Sequence, residues 1–145
     1  MSMAEERVIK IGMLGLGTVG TGVYKVLKSQ QEEMLPKLGA RVELKKILVR
    51  NVEKAAAKVD DPSIITTSFE EIANDPEIEI VVEVMGGIDF PFSVVKQALQ
   101  NGKAVVTANK AMLAYHRYDL QEIAGDIPLM YEASTAGGIP IIGAL

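Results

Sequence analysis

A chain of 145 residues, 48% hydrophobic and 23% charged, is long enough for one domain and too apolar for intrinsic disorder. A formal net charge of -4, with Lys and Arg scattered along the chain, argues against a nucleic-acid partner, and the lack of cysteine removes disulfides, thiolate metal sites and a Cys nucleophile from consideration. The opening MSMAEER has no apolar signal-peptide core, and no run approaches the roughly 18 consecutive apolar residues of a membrane helix, so the expectation is a cytoplasmic protein that is neither exported nor membrane-spanning.

Val8, Ile9, Ile11, Met13 and Leu14 form an apolar run that leads directly into Gly15-Leu16-Gly17-Thr18-Val19-Gly20. Val19, Val23, Val26 and Leu27 then fall on one helical face, predicting a helix to about Ser29. Strand, glycine turn and helix in this order match a dinucleotide-binding fingerprint. Gly15 makes the tight turn, Gly17 lets the backbone approach a pyrophosphate, and Gly20 allows close helix packing. The pyrophosphate would rest on the free N–H groups at the positive end of the helix.

From Gln30 to Ala40 the chain is polar and interrupted by Pro36 and Gly39, which predicts a loop. Val42 to Val49 reads as a second strand ending at Arg50, followed by a short helix from Val52 to Val59 and a brief third strand from Ile64 to Thr67. Ser68 and Glu71 have the spacing of a capping box for the next helix. Ile78 to Met85, almost continuously apolar, suits a strand buried on both faces of a parallel sheet. Pro91 fits the first turn of a helix that turns Val94, Val95, Ala98 and Leu99 inward and closes at Asn101-Gly102. A fifth strand at Ala104 to Thr107, a helix around Tyr118 to Ala124 and a sixth strand at Pro128 to Glu132 complete the alternation. The expected fold is α/β: a Rossmann-type doubly wound parallel sheet in three layers, α/β/α, with right-handed crossovers.

In such a sheet ligands bind beyond the carboxyl ends of the strands, where the strand order reverses. Arg50, Glu83 to Gly87, Thr107 to Lys110 and Glu132 to Gly138 stand at those ends and are expected to open toward one crevice. An acidic residue after the second strand would bind the ribose 2′-hydroxyl of NAD. Arg50 instead matches a 2′-phosphate and favours NADP(H), with NAD the alternative, and Lys54 could add a second charge. The simpler reading of Arg50 is a solvated loop residue. Lys110 has no acidic neighbour within six positions. It is either a proton-transfer or electrostatic group in a partly desolvated pocket, or a surface lysine in a loop. The small residues after Glu132 could gather carbonyl oxygens around a cation, although a tight turn is the simpler account. His116, the only histidine, reads as a solvated loop residue, and the methionines read as core.

GLGTVG at Gly15 to Gly20, LVR at Leu48 to Arg50, VVEVMGG at Val81 to Gly87, VVTANK at Val105 to Lys110 and YEASTAGGIPII at Tyr131 to Ile142 together resemble the N-terminal cofactor-binding domain of homoserine dehydrogenase. The resemblance covers essentially all of the chain and rests most on the last two motifs. It implies NAD(P)-dependent interconversion of L-homoserine and L-aspartate 4-semialdehyde, on the route to threonine and methionine. It further implies that Thr18 and Val19 offer N–H groups to the pyrophosphate, and that Met85 and Gly86 lie along the nicotinamide. Lys110 would then sit between nicotinamide and substrate, touching both. Glu132 with the backbones of Thr135, Gly137 and Ile139 would hold a monovalent cation such as Na+. The substrate and dimerisation region of that family has no counterpart in these residues, so residues 1–145 are expected to be one domain of a longer, homo-oligomeric enzyme and inactive alone. Two other readings are a stand-alone NADP(H)-sensing module and another two-domain amino-acid or semialdehyde dehydrogenase.

Overall fold

Alternating strands and helices assemble, in the computed structural model, into a single six-stranded sheet in which every neighbouring pair is parallel. Residues 7–31 and 40–131 are described. In chain order the elements are β1 (Arg7–Leu14), α1 (Thr18–Gln31), β2 (Ala40–Leu48), α2 (Val52–Ala56), β3 (Ile65–Thr66), α3 (Glu70–Ala73), β4 (Ile78–Glu83), α4 (Asp89–Gln100), β5 (Ala104–Thr107), α5 (Lys110–Ala124) and β6 (Leu129–Tyr131). The strand order is β3-β2-β1-β4-β5-β6. The order reverses between β1 and β4, the doubly wound arrangement expected from the sequence.

Alternation along the strands divides the core into two layers. Ile9, Ile11 and Met13 of β1, with Ile80 and Val82 of β4, pack with Val23, Tyr24 and Leu27 of α1 and Ala55 of α2. Leu14, Ile78, Val81 and Val105 pack on the opposite face with Ile72 of α3, Val94, Val95, Ala98 and Leu99 of α4, and Met112 and Leu120 of α5. A strand buried on both faces must be apolar at successive positions, which is why β1 and β4 read as largely apolar runs, interrupted at Lys10 and at Glu79. Each fully buried aliphatic side chain contributes about 1.5–3 kcal/mol, so these two layers supply the main cohesion.

Helix and strand boundaries depart from expectation where a side chain, near or distant in sequence, takes a backbone or capping group. Helix α2 ends at Ala56 instead of Val59. Beyond it, the Asp60 N–H donates to the Tyr24 hydroxyl of α1 and Lys58 reaches the Leu16 carbonyl. The Ser68–Glu71 capping box does not form: Phe69 is the cap residue of α3 and makes no side-chain cap hydrogen bond. Thr66 Oγ1 takes the Ser68 N–H, the Ser68 hydroxyl donates to Glu70, and the Glu71 carboxylate pairs with Lys46 of β2 at 3.4 Å. Strand β4 stops at Glu83 instead of Met85, because the Met85 N–H turns back to the Glu83 carboxylate. Helix α4 closes as expected, with Gly102 at φ 82° and its N–H on Leu99 O.

Helix α5 begins eight residues before the expected Tyr118, at Lys110. Asn109 caps it, its side-chain oxygen accepting the Met112 N–H at 3.0 Å. His116 is consequently a helical residue and not a loop residue. Its ring stacks on Phe92 of α4 with centroids 3.8 Å apart and planes 15° apart.

Candidate functional site

Strand tips β3, β2, β1, β4 and β5 are tied laterally beyond their last ladder pairs. Val49 N–H donates to Thr66 O, Gly15 N–H to Leu48 O, Val84 N–H to Leu14 O and Ala108 N–H to Glu83 O, at 2.9–3.0 Å. The segments that follow the strands therefore leave from a fixed edge. Between them lies a cleft of about 800 Å³, within the size range of cofactor sites. Its wall includes Gly15 and Gly17 of the glycine turn, Arg50, Lys54 and Lys58 on the β2 side, and Met85, Gly86 and Phe90 on the β4 side.

The glycine turn fits a closely approaching dinucleotide. Gly15 has φ 102°, a conformation that favours glycine, so the chain can reverse from β1 into α1. A Cβ on Gly20 would stand 2.7 Å from the Gly15 carbonyl oxygen, which holds the first turn of α1 against the loop. At Gly17 a Cβ would meet nothing within 4 Å, leaving space for a ligand on that side. Thr21 N–H donates to Gly17 O at 2.8 Å and opens the intrahelical series. The N–H groups before it have no intrahelical acceptor, and no acidic residue stands in the first turn to neutralise them. Thr18 and Val19 are exposed there, Val19 to 42%. An anion placed at this end meets free donors and the positive end of the helix.

Arg50 is exposed beyond β2, and among the described residues it has no ion-pair partner. Lys54, one helical turn on, shares the cleft wall. Lys58 was not singled out from the sequence; its Nζ donates to Leu16 O at 3.0 Å, bringing a third cation beside the glycine turn. Its position depends on the chain leaving α2 early, a tertiary effect without a local signal.

The structure thus gathers Gly15, Gly17, Arg50, Met85 and Gly86 around one cleft, with Thr18, Val19 and Gly20 at the adjoining start of α1. Lys110 is not part of the cleft wall. It is the exposed first residue of α5, just beyond β5 on the same edge of the sheet. Glu132, Thr135, Gly137 and Ile139 lie outside the described residues. Among the described residues no cluster of three or more His, Cys, Asp or Glu could hold a metal ion, and no helix is long and apolar enough to cross a membrane.

Glu83, Thr107 and Asn109, expected at their strand ends to open toward the crevice, are instead buried and form one polar cluster. Glu83, the last residue of β4, is fully buried and has no cationic partner among the described residues. Thr107 Oγ1 and the Met85 N–H donate to it, the latter at 2.9 Å, and the Asn109 amide lies 3.4 Å away. Burial pushes its carboxyl above the usual carboxylate range, and the hydrogen bonds from Thr107, Met85 and Asn109 offset only part of that. The signal was a second carboxylate in the apolar run IEIVVEVM, placed at its far end, after two consecutive valines, whereas Glu79 near its start is exposed.

Residues 15–126 match the family model described as homoserine dehydrogenase, NAD binding domain. The chain is 47% identical over 137 residues to the homoserine dehydrogenase of Helicobacter pylori, covering 94% of this chain and 32% of that protein. It superposes on the crystal structure of a homoserine dehydrogenase from Thiobacillus denitrificans with a TM-score of 0.80 at 40% identity, over 96% of this chain and 32% of that one. A hyperthermophilic archaeal homoserine dehydrogenase in complex with NADPH, 22% identical, shares the fold with a TM-score of 0.68, over 94% of this chain and 47% of that one. The chain spans about a third of the length of the Helicobacter pylori and Thiobacillus denitrificans relatives.

Proposed function

Because this chain belongs to the homoserine dehydrogenase family, through its NAD-binding domain, we propose that its cleft binds NADP(H) in preference to NAD(H) and serves the interconversion of L-homoserine and L-aspartate 4-semialdehyde. The observation that carries the cofactor preference is Arg50, exposed and unpaired among the described residues, in one cleft with Lys54, Lys58 and the glycine turn. A guanidinium can grip a phosphate through paired hydrogen bonds, and the two ammonium groups add to the positive field. At the switch point the adenosine half lies over β2 and the nicotinamide half over β4 beside Met85 and Gly86, with the pyrophosphate on the start of α1.

When bound, the cofactor supplies the acceptor or donor of hydride. The protein's share is to orient it and to manage the substrate proton. As hydride leaves the homoserine carbon, the hydroxyl proton must leave the oxygen. We assign to Lys110 Nζ the task of taking that proton or holding the charge that develops on the oxygen. Further basic and acidic groups would come from the part of the enzyme that these residues do not span, and residues 1–145 alone bind cofactor without turnover. Segment 132–140 holds a monovalent cation through Glu132, Thr135, Gly137 and Ile139, and the whole enzyme is a cytoplasmic homo-oligomer in threonine and methionine biosynthesis. Titrating the 145-residue chain with NADPH and NADH tests the central point. NADPH should bind more tightly, and failure of both to bind would overturn the reading.

A further inference from the structure

Among Ile78, Ile80, Val81 and Val82, a buried carboxylate at Glu83 is the costly choice for packing. An aliphatic residue would fill the same place, and the ladder between β4 and β5 already joins the two strands through four residue pairs. What Glu83 adds is two acceptor oxygens at the point where the chain leaves the sheet. Oε1 accepts the Thr107 hydroxyl proton and Oε2 accepts the Met85 N–H at 2.9 Å. Without Oε2 that N–H, on a half-buried residue of the cleft wall, would lose its protein partner just past the end of the ladder.

The segment that Met85 opens is intrinsically loose. Gly86 and Gly87 follow, the latter at φ 92°, and a Cβ on either would meet nothing within 4 Å. Neighbouring side chains therefore do not define the path of this segment. Two hydrogen bonds do: the Met85 N–H to Glu83, and the Asn109 amide to the Gly87 carbonyl at 2.8 Å. The same Asn109 amide lies 3.4 Å from Glu83 Oε2, while the Asn109 backbone N–H donates to Thr107 Oγ1 at 2.9 Å and its side-chain oxygen caps the helix that starts at Lys110.

We propose that Glu83 is a positioning residue for the nicotinamide half of the cofactor, its carboxylate joining Met85 of the cleft wall to the Thr107–Asn109 pair that begins α5. The inference rests on the reading that the cleft takes a nicotinamide nucleotide with that half over β4. A carboxylate is needed because both oxygens face donors. In Glu83→Gln one acceptor becomes an N–H group: turned to Met85 it meets a donor, and turned to Thr107 it makes the hydroxyl, which already accepts the Asn109 N–H, an acceptor again and ends its bond to residue 83 as donor.

The 145-residue chain, wild type and Glu83→Gln, is titrated with NADPH and with 2′,5′-ADP, which keeps the adenosine half and its phosphate and lacks the nicotinamide. The variant should bind NADPH about tenfold more weakly, the scale expected when a preorganised wall must be ordered on binding, and 2′,5′-ADP within about twofold of wild type. Unchanged NADPH affinity in the folded variant overturns the inference, as does an equal loss for both ligands, which a purely structural role would give. Wild-type protein that binds neither ligand overturns the cofactor reading itself. Should Glu83→Gln fail to fold, Asn109→Ser gives the decision. Serine keeps an oxygen to cap Met112 but lacks the amide that holds Gly87, so the same selective loss of NADPH is expected, and its absence overturns the inference.

Discussion

Gly20 lies so close to Gly15 that a Cβ on the former would stand 2.7 Å from the carbonyl oxygen of the latter and 3.2 Å from Val84 Cγ2. Helix α1 and the turn before it are thereby held in one relative position, with the free N–H groups of the helix start beside the open face at Gly17. In an ordinary helix interior Gly→Ala stabilises by about 1 kcal/mol. Here overpacking against backbone should cost about 1–3 kcal/mol and reverse that sign. Gly20→Ala is expected to lower the thermal midpoint and to weaken NADPH at least about tenfold by displacing the anion site. Calorimetry and a fluorescence titration check the two effects, and a raised midpoint would show that the turn yields freely.

Arg50 provides the test of cofactor choice. If its guanidinium pairs with the 2′-phosphate, Arg50→Ala should weaken NADPH by about 1.5–3 kcal/mol, the range for a charge-assisted hydrogen bond, and leave NADH nearly unchanged. Equal losses for both cofactors would assign Arg50 to general packing of the cleft wall.

Lys110 is exposed at the head of α5, where a side chain contributes little packing. In the whole enzyme, Lys110→Ala should therefore lower kcat by at least about a hundredfold, the low end for a general acid or base, with the thermal midpoint near wild type. Steady-state kinetics paired with thermal melts separate the two quantities. Near-normal kcat would leave Lys110 a surface residue.

A charge cluster at the amino-terminal edge of the sheet sets the acid response. Glu77 accepts from Lys45 at 2.8 Å and Lys10 at 2.9 Å, and these hydrogen bonds hold its carboxyl down at about 2, against an ordinary 4.5. Asp75 is raised by burial, yet its bond to Lys45 and the Glu77 N–H outweigh that and leave it lowered. A carboxyl depressed in the folded state contributes stability above its unfolded value and loses it as pH falls toward the folded one. The contribution of Glu77 should be complete above about pH 5 and vanish between there and about pH 2. Melting curves of wild type and Glu77→Gln should differ at neutral pH and converge on acidification. A constant difference down to pH 2 would exclude the linkage.

The sequence by itself determined the strand, glycine turn and helix at residues 8–23, the doubly wound sheet, the two-faced burial of β4, and the closure of α4 at Gly102. These depend on residue spacing and on backbone preferences within a few positions, so they can be read along the chain. Only the tertiary structure decided features that turn on a partner distant in sequence. Lys46 takes the Glu71 carboxylate that would have completed the Ser68–Glu71 cap, Tyr24 and Leu16 draw in the chain after α2, and Phe92 carries His116. Asn109 shows the limit most plainly. Its capping oxygen is a local feature that could have marked the start of α5 at Lys110, whereas its amide reaches back to Glu83 and Gly87, more than 20 residues earlier. A hydrogen bond needs its two groups within about 3 Å, and only the parallel pairing of β4 with β5 brings Glu83 beside Thr107.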